Sequence, residues 1–444
     1  MQIDSSEHAR IFSKCAWRLI PFILGVYFLN YVDRVNVGFA ALTMNRDLDL
    51  SPAVFGLGAG IFFLGYLLFQ VPGNVILQRV GARRWIFCIM IVWGFVSAAN
   101  AFVQGPLSFY ALRFILGIAE AGFFPGMLLY LTYWFPQAYL ARFTASFMTG
   151  IPLAFIIGAP VSSLILELEG TADLHGWQWL FIIEGLPVCL LAFVALKFLP
   201  DGPAHAPWLT DDEKKTIAGY HAVQGSKEQY SLWLALRDPR VFALGLVLLG
   251  SQFGLYGVQL WMPQIVQGMG YSHLATGFIV ALPFMAGMGA MIFWGRSSDI
   301  RGERFWHIAL AALVAAFGFA VASLAQSDLL VLVGLALGLV GTLSIPGPLF
   351  SLPSSFLGGT AVAGAIALVN AMGSLGRFLG PTVVGAFKQG SETYASGMVA
   401  LAIALAMSAA IALTLGRMMQ RRMSRTAVPE PVAAFSAGET PKAS

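Results

Sequence analysis

Six ionisable side chains stand inside otherwise apolar stretches: Asp33 and Arg34 in "NYVDRVNVG", Arg113 and Glu120 in "RFILGIAEAGFFPG", Glu184 in "WQWLFIIEGLP" and Arg377 in "GSLGRFLGP". A carboxylate shut away from water can exchange a proton when an aqueous path reaches it, whereas a guanidinium stays charged and grips a carboxylate through two parallel hydrogen bonds. The histidines are expected to lie outside the apolar spans, which leaves carboxylates as the proton carriers. The bland alternative is that the six charges pair with one another and fix helix packing. Burying an ion in lipid costs several kcal/mol, so each such residue is a functional candidate by default.

Helix periodicity sorts them. Arg113 and Glu120 are seven residues apart, on one stripe two turns from each other, with Gly117 between them. Arg34 shares a stripe with Tyr27 and Tyr31, while Asp33 points about 100° away from it, so the two neighbours serve different purposes.

The elements that must hold these groups follow from composition. Of the 444 residues 58% are hydrophobic and 11% charged, a balance foreign to soluble domains. Apolar runs long enough to cross a bilayer occur twelve times, over about 17–42, 52–76, 85–104, 107–131, 141–166, 178–199, 240–266, 275–295, 306–325, 329–352, 361–386 and 394–416. Their length and lack of period-two alternation predict an all-α membrane protein of twelve transmembrane helices. The first run is too long for a signal-peptide core. Cys15, Cys88 and Cys189 form no CxxC pair and read as ordinary apolar side chains, so no metal or cofactor site is expected.

Of the 26 Lys and Arg, Arg34, Arg113 and Arg377 lie within spans and only Arg46 and Lys388 fall on one side. The other 21 fall on the opposite side, which the positive-inside rule makes cytoplasmic along with both termini. The net charge of +4 thus reports topology and gives no reason to expect nucleic-acid binding.

A polar segment at 200–239 divides a six-helix bundle at 17–199 from another at 240–416, with an N-terminal tail at 1–16 and a disordered tail at 417–444. One offset of 221 residues maps Pro125-Gly126 onto Pro346-Gly347, Gly81 onto Gly302 and Pro160 onto Pro381, which predicts two structural repeats. The charges do not repeat: the same offset carries Asp33, Arg113 and Glu120 onto Gly254, Gly334 and Gly341.

Between runs eight and nine, "GRSSDIRGER" spaces Gly295, Asp299, Gly302 and Arg304 so that glycines let helix ends approach and the carboxylate pairs with arginine or caps a helix. The first half keeps Gly81, Arg83 and Arg84 but has Asn74 and Gln78 where Gly and Asp are expected, which removes the acid from that gate. Pro346, Pro348 and Pro353 are expected to break the tenth helix.

This loop, the repeat and the twelve runs resemble the major facilitator superfamily. "YVDRVNVG", "GYLLFQVPGN", "RFILGIAEAGFFPG", "WQWLFIIEGLP" and "ALVNAMGSLG" are similar to its anion:cation symporter branch, which includes tartrate, phthalate, hexuronate, galactonate and hydroxyphenylacetate permeases. The resemblance implies that Asp33 and Glu120 carry coupling protons and that Arg34, Arg113, Tyr66 and Asn370 line the substrate cavity, with Phe350 as an aromatic wall. Arg377 departs from the branch, where a small residue is usual; it either adds a positive point for a second carboxylate or snorkels outward. Gln252, Tyr256 and Gln259 form an uncharged polar stripe, and Tyr31 joins the Arg34 face. A structural role is favoured for Glu184.

The expectation is a monomeric, proton-coupled symporter in the inner membrane, without metal or cofactor, importing a small organic anion: a hydroxy-dicarboxylate such as tartrate, a sugar acid, or alternatively an aromatic acid. A membrane hydrolase would need a Ser–His, paired-Asp or metal constellation in the spans. A non-transporting sensor would need a signalling domain larger than the 28 residues after Gly416.

Overall fold

In hydrocarbon the backbone has no water to bond, so each span must satisfy its own amides. A computed structural model describes residues 5–136, 149–224, 237–391 and 393–426, and helix is the only regular structure among them. The chain runs α1 (Ser5–Asp47), α2 (Pro52–Val80), α3 (Ala82–Ala99), α4 (Pro106–Glu120), α5 (Phe123–Trp134), α6 (Gly150–Leu166), α7 (Gly176–Phe198) and α8 (Asp211–Gln224). It continues through α9 (Pro239–Gln259), α10 (Met262–Gln267), α11 (His273–Arg301), α12 (Phe305–Leu324), α13 (Asp328–Ser344), α14 (Pro346–Ser351), α15 (Gly359–Gln389) and α16 (Ala395–Thr426). Among the described residues eleven helical spans are long and apolar enough to cross a membrane, and α6, a shorter apolar helix of 17 residues, makes the twelfth. The start of the fifth run (141–148), part of the linker (225–236) and the tail beyond 426 lie outside the described residues.

The repeat is visible in the helix ends. Shifting α2 by 221 residues reproduces α11: both contain 29 residues, both begin after a serine N-cap (Ser51, Ser272) that accepts from the amide three residues on at 3.3 Å, and both end at a glycine of positive φ. Gly81 (φ 92°) and Gly302 (φ 64°) turn the chain where a Cβ would be strained. The fourth span of each half is broken as well: α4 gives way to α5 after Glu120, and α13 to α14 at Ile345. Pro125 and Pro346, the repeat-related prolines, each remove a backbone donor at the break.

Two boundaries differ from the sequence reading. Residues 5–16 continue α1 instead of forming a separate tail, because Ile11, Phe12, Cys15 and Leu19 bury one face, with the Phe12 and Phe135 ring centroids 6.4 Å apart. At the other end α16 runs on through 417–426, ten residues expected to be disordered. Helix propagation through "RMMQRRMSRT" adds a backbone bond per residue without a new nucleus.

The halves meet where α2 packs antiparallel to α15 and α6 packs against α11. A Cβ at Gly56 would lie 2.5 Å from the Pro381 carbonyl oxygen, one at Gly60 2.6 Å from that of Phe378, and one at Gly385 2.5 Å from that of Pro52. Only glycine allows this approach. Phe155 of α6 and Phe284 of α11 stack with centroids 3.7 Å apart. These contacts run from the end bearing the Ser51 and Ser272 caps to the middle of the spans, where the candidate residues lie.

Candidate functional site

Within the first half α2 and α4 interlock: a Cβ at Gly117 would fall 2.0 Å from the Phe62 carbonyl oxygen, and one at Gly65 2.4 Å from that of Phe114. This seam sets the Arg113 guanidinium over the Phe62 ring, 5.0 Å from its centroid. Arg113 is 1% exposed, and its Nε and Nη1 have no hydrogen-bond partner among the described residues.

Glu120 does not pair with its stripe-mate Arg113. Its Oε2 lies 2.7 Å from Arg34 Nε and accepts from Asn30 Nδ2 at 2.8 Å, giving an ion pair between α1 and α4 in which Glu120 is fully buried. The break after Glu120 leaves this acid at the last turn of α4. Arg34 also lies over three rings, at 4.9 Å from Tyr66, 5.3 Å from Tyr31 and 5.6 Å from Phe62.

Asp33, next in sequence to Arg34, faces elsewhere. Its carboxylate accepts from Asn36 Nδ2 at 3.0 Å, and from Trp93 Nε1 and Ser97 Oγ of α3. The two adjacent charges therefore occupy different surroundings, as helix geometry required. Glu184 accepts from Ser162 Oγ at 2.7 Å and leaves Oε2 without a partner among the described residues.

The second half brings one charge to the same level. Arg377 does not snorkel: Nη2 donates to Asn370 Oδ1 at 3.2 Å, and Nη1 reaches Ser374 Oγ at 3.4 Å. With the Gln252 amide oxygen turned toward it, Nη2 and Nε donate at 2.8 and 3.1 Å. Its Cζ stands 5.8 Å from the Tyr256 centroid. The Tyr256 hydroxyl meets that of Tyr31 at 2.8 Å, and Asn370 Nδ2 approaches Gln70 Oε1 at 3.5 Å, so side chains of both halves close on one place.

Other expectations fare unevenly. Phe350, half-buried in α14, makes no ring contact with the site aromatics among the described residues. Gln259 is buried away from the Gln252–Arg377 group, and neither amide atom has a partner among the described residues. His307 is a histidine within a span after all: it sits in the first turn of α12, buried, with Nδ1 3.1 Å from Glu303 Oε2. That places it at the loop end, not with the central acids.

At the loops, Asp299 Oδ1 pairs with Arg304 Nη2 at 2.8 Å while Gly302 caps α11. A Cβ at Gly295 would meet nothing within 4 Å, so close approach is not what this glycine provides. In the first half the missing acid is supplied from afar: Asp201, beyond α7, accepts from the Arg83 amide at 3.0 Å, and Arg83 Nε donates to the Leu196 carbonyl. Asp201, Asn30, Asn36, Trp93 and Ser97 were missed in the sequence, where nothing marks which helix faces theirs.

On the opposite end Asp47, Glu169 and His175 cluster in exposed positions. The Gly176 amide and the His175 ring hold the Glu169 carboxyl below its ordinary value. These bonds clip the α6–α7 loop.

A sequence profile of the Major Facilitator Superfamily matches residues 23–381. The chain belongs to this superfamily. It is 47% identical, over 94% of its length and 96% of the relative's, to an Agrobacterium vitis protein named "Putative tartrate transporter". It is 35% identical, over 94% of its length and 96% of the relative's, to the inner membrane transport protein RhmT of Escherichia coli. Its fold superimposes on a crystal structure of a bacterial homologue of the human lysosomal transporter Spinster, inward-facing and occupied, with a TM-score of 0.76, 17% identity and coverage of 91% of this chain and 97% of that one. The protein is a multi-pass membrane transporter, not an enzyme, and its charged centre lies where the two six-helix repeats of a major facilitator meet.

Proposed function

We propose that this transporter imports a small organic anion together with protons, a hydroxy-dicarboxylate such as tartrate before a sugar acid. The observation that carries the reading is the buried guanidinium of Arg113, whose Nε and Nη1 lack partners among the described residues, beside an arginine already engaged by an acid. A buried cation with free donors is a receptor for a carboxylate. The 47%-identical relative named for tartrate supports the substrate class.

In this reading Asp33 and Glu120 carry the protons. A proton on Glu120 weakens its hold on Arg34, which then joins Arg113 in binding the anion; loss of the proton restores the Arg34–Glu120 pair and returns the anion to water. Tyr31, Tyr66, Tyr256, Gln252 and Asn370 supply rings and hydrogen bonds around the hydroxyls. The Gly81–Arg83 and Gly295–Arg304 loops hold helix ends while the halves rock. The bundles are the units 17–199 and 240–416, joined by the linker 200–239. The end bearing these basic loops faces the cytoplasm with both termini, the membrane is the inner one, and each chain works as a monomer.

The rings of Tyr31, Phe62, Tyr66 and Tyr256 around Arg34 and Arg377 favour a second reading, an aromatic acid. Uptake into proteoliposomes with an imposed inward proton gradient, over tartrate, hexuronates and hydroxyphenylacetate, separates the two. Accumulation of none of them above equilibrium overturns the proposal.

A further inference from the structure

We infer that Arg377 is a second anion subsite, built on the opposite half from Arg34 and Arg113, and that it makes the transporter select dicarboxylates over the corresponding monocarboxylates. The inference rests on the anion-import reading and specifies its substrate.

Among the described residues the acceptors around Arg377 are neutral: the Asn370 amide oxygen, the Ser374 hydroxyl and, suitably turned, the Gln252 amide oxygen. No carboxylate of a described residue lies within salt-bridge distance of it. Neutral dipoles orient a guanidinium and leave its charge uncompensated. In the first half, by contrast, Asp33 and Glu120 accompany Arg34 and Arg113, apart from a third buried acid, Glu184, which bonds Ser162. With Asp33 and Glu120 ionised they cancel Arg34 and Arg113, and Arg377 leaves this set of five at one positive charge; with both protonated the set carries three. A dianion matches that change better than a monoanion.

The geometry sets the two cationic poles apart and links them. Arg34 lies over the Tyr31 ring, Tyr31 meets Tyr256 hydroxyl to hydroxyl at 2.8 Å, and Arg377 lies over the Tyr256 ring. In the proposed pose a solute with a carboxylate at each end would answer one arginine per half across this tyrosine pair. A monocarboxylate leaves one of them unanswered.

The test is competition between L-tartrate and glycerate, which lacks tartrate's second carboxylate, in proton-driven uptake by proteoliposomes. Wild type is expected to take up tartrate at least about tenfold better, as kcat/KM, because a part-buried charge left unanswered is selected against. Arg377→Gln should shrink that ratio toward one, and Arg377→Lys, which keeps the charge, should retain a preference for tartrate. A wild type that takes up glycerate as well as tartrate, or an unchanged ratio in Arg377→Gln, overturns the subsite and leaves anion import standing. A wild type that moves no organic anion removes the underlying reading instead. Should Arg377→Gln not fold, as shown by size-exclusion chromatography, the wild-type ratio and Arg377→Lys decide.

Discussion

Tyr31 of α1 and Tyr256 of α9 share a hydroxyl hydrogen bond of 2.8 Å, one side chain from each half of the molecule. A neutral bond of this kind contributes about 1 kcal/mol, roughly a fivefold bias in a two-state equilibrium. Tyr31→Phe or Tyr256→Phe should therefore loosen the halves without unfolding them. Spin labels at exposed Gln104 and Tyr271 should report a broader, longer distance distribution by double electron–electron resonance; a distribution identical to wild type would show that the bond does not hold the halves together.

Asp33→Asn and Glu120→Gln should each lower proton-driven uptake about tenfold or more, while substrate exchange between preloaded and external pools persists. The comparison separates the coupling step from binding. Uptake that still follows the proton gradient in both variants removes these acids from the coupling role.

Breaking the Arg34–Glu120 pair from one side leaves a buried charge unanswered. Arg34→Leu alone should destabilise the protein by about 3–5 kcal/mol, and the double change with Glu120→Leu should recover much of the loss. Tryptophan-monitored melting in detergent reads both; equal losses in the single and double variants would show that the two charges are independent.

Glu213 of α8 is tied to Lys14 of α1 by an ion pair, and this tie should be pH-sensitive. Burial opposes ionisation of Glu213, but Lys14, whose Nζ lies 2.8 Å from Oε2, together with the Thr210 amide and Arg10, outweighs it and holds the carboxyl below its ordinary value of 4.5. A depressed value contributes stability that is present above about pH 4.5 and lost as the pH falls through the folded-state value. Limited proteolysis of the α8 region should be slow at neutral pH and accelerate only below that point. In Glu213→Gln it should be fast at every pH.

Legibility in the sequence followed the physics of each feature. Spans, repeat and buried charges were plain because lipid forbids polar side chains without cause, and a single offset of 221 carries α2 onto α11 end to end. Pairings were not. Arg113 and Glu120 share a stripe, yet Glu120 binds Arg34, because the partner depends on how α1 is rotated against α4. Asp201 restores an acid to the first-half loop from more than a hundred residues away, which no local motif could announce. Whether Arg377 snorkels depends on its rotamer, which the sequence does not carry; its bonds to Asn370 and Gln252 turn it inward.

Among the described residues the central acids belong to one bundle, while the other offers one cation, Arg377, set among amides and a hydroxyl. On the proposed roles, mutations around Gln252, Asn370 and Arg377 would retune which solute is carried without disturbing how the gradient is harvested. Descendants of such a chain are free to change diet while keeping their engine.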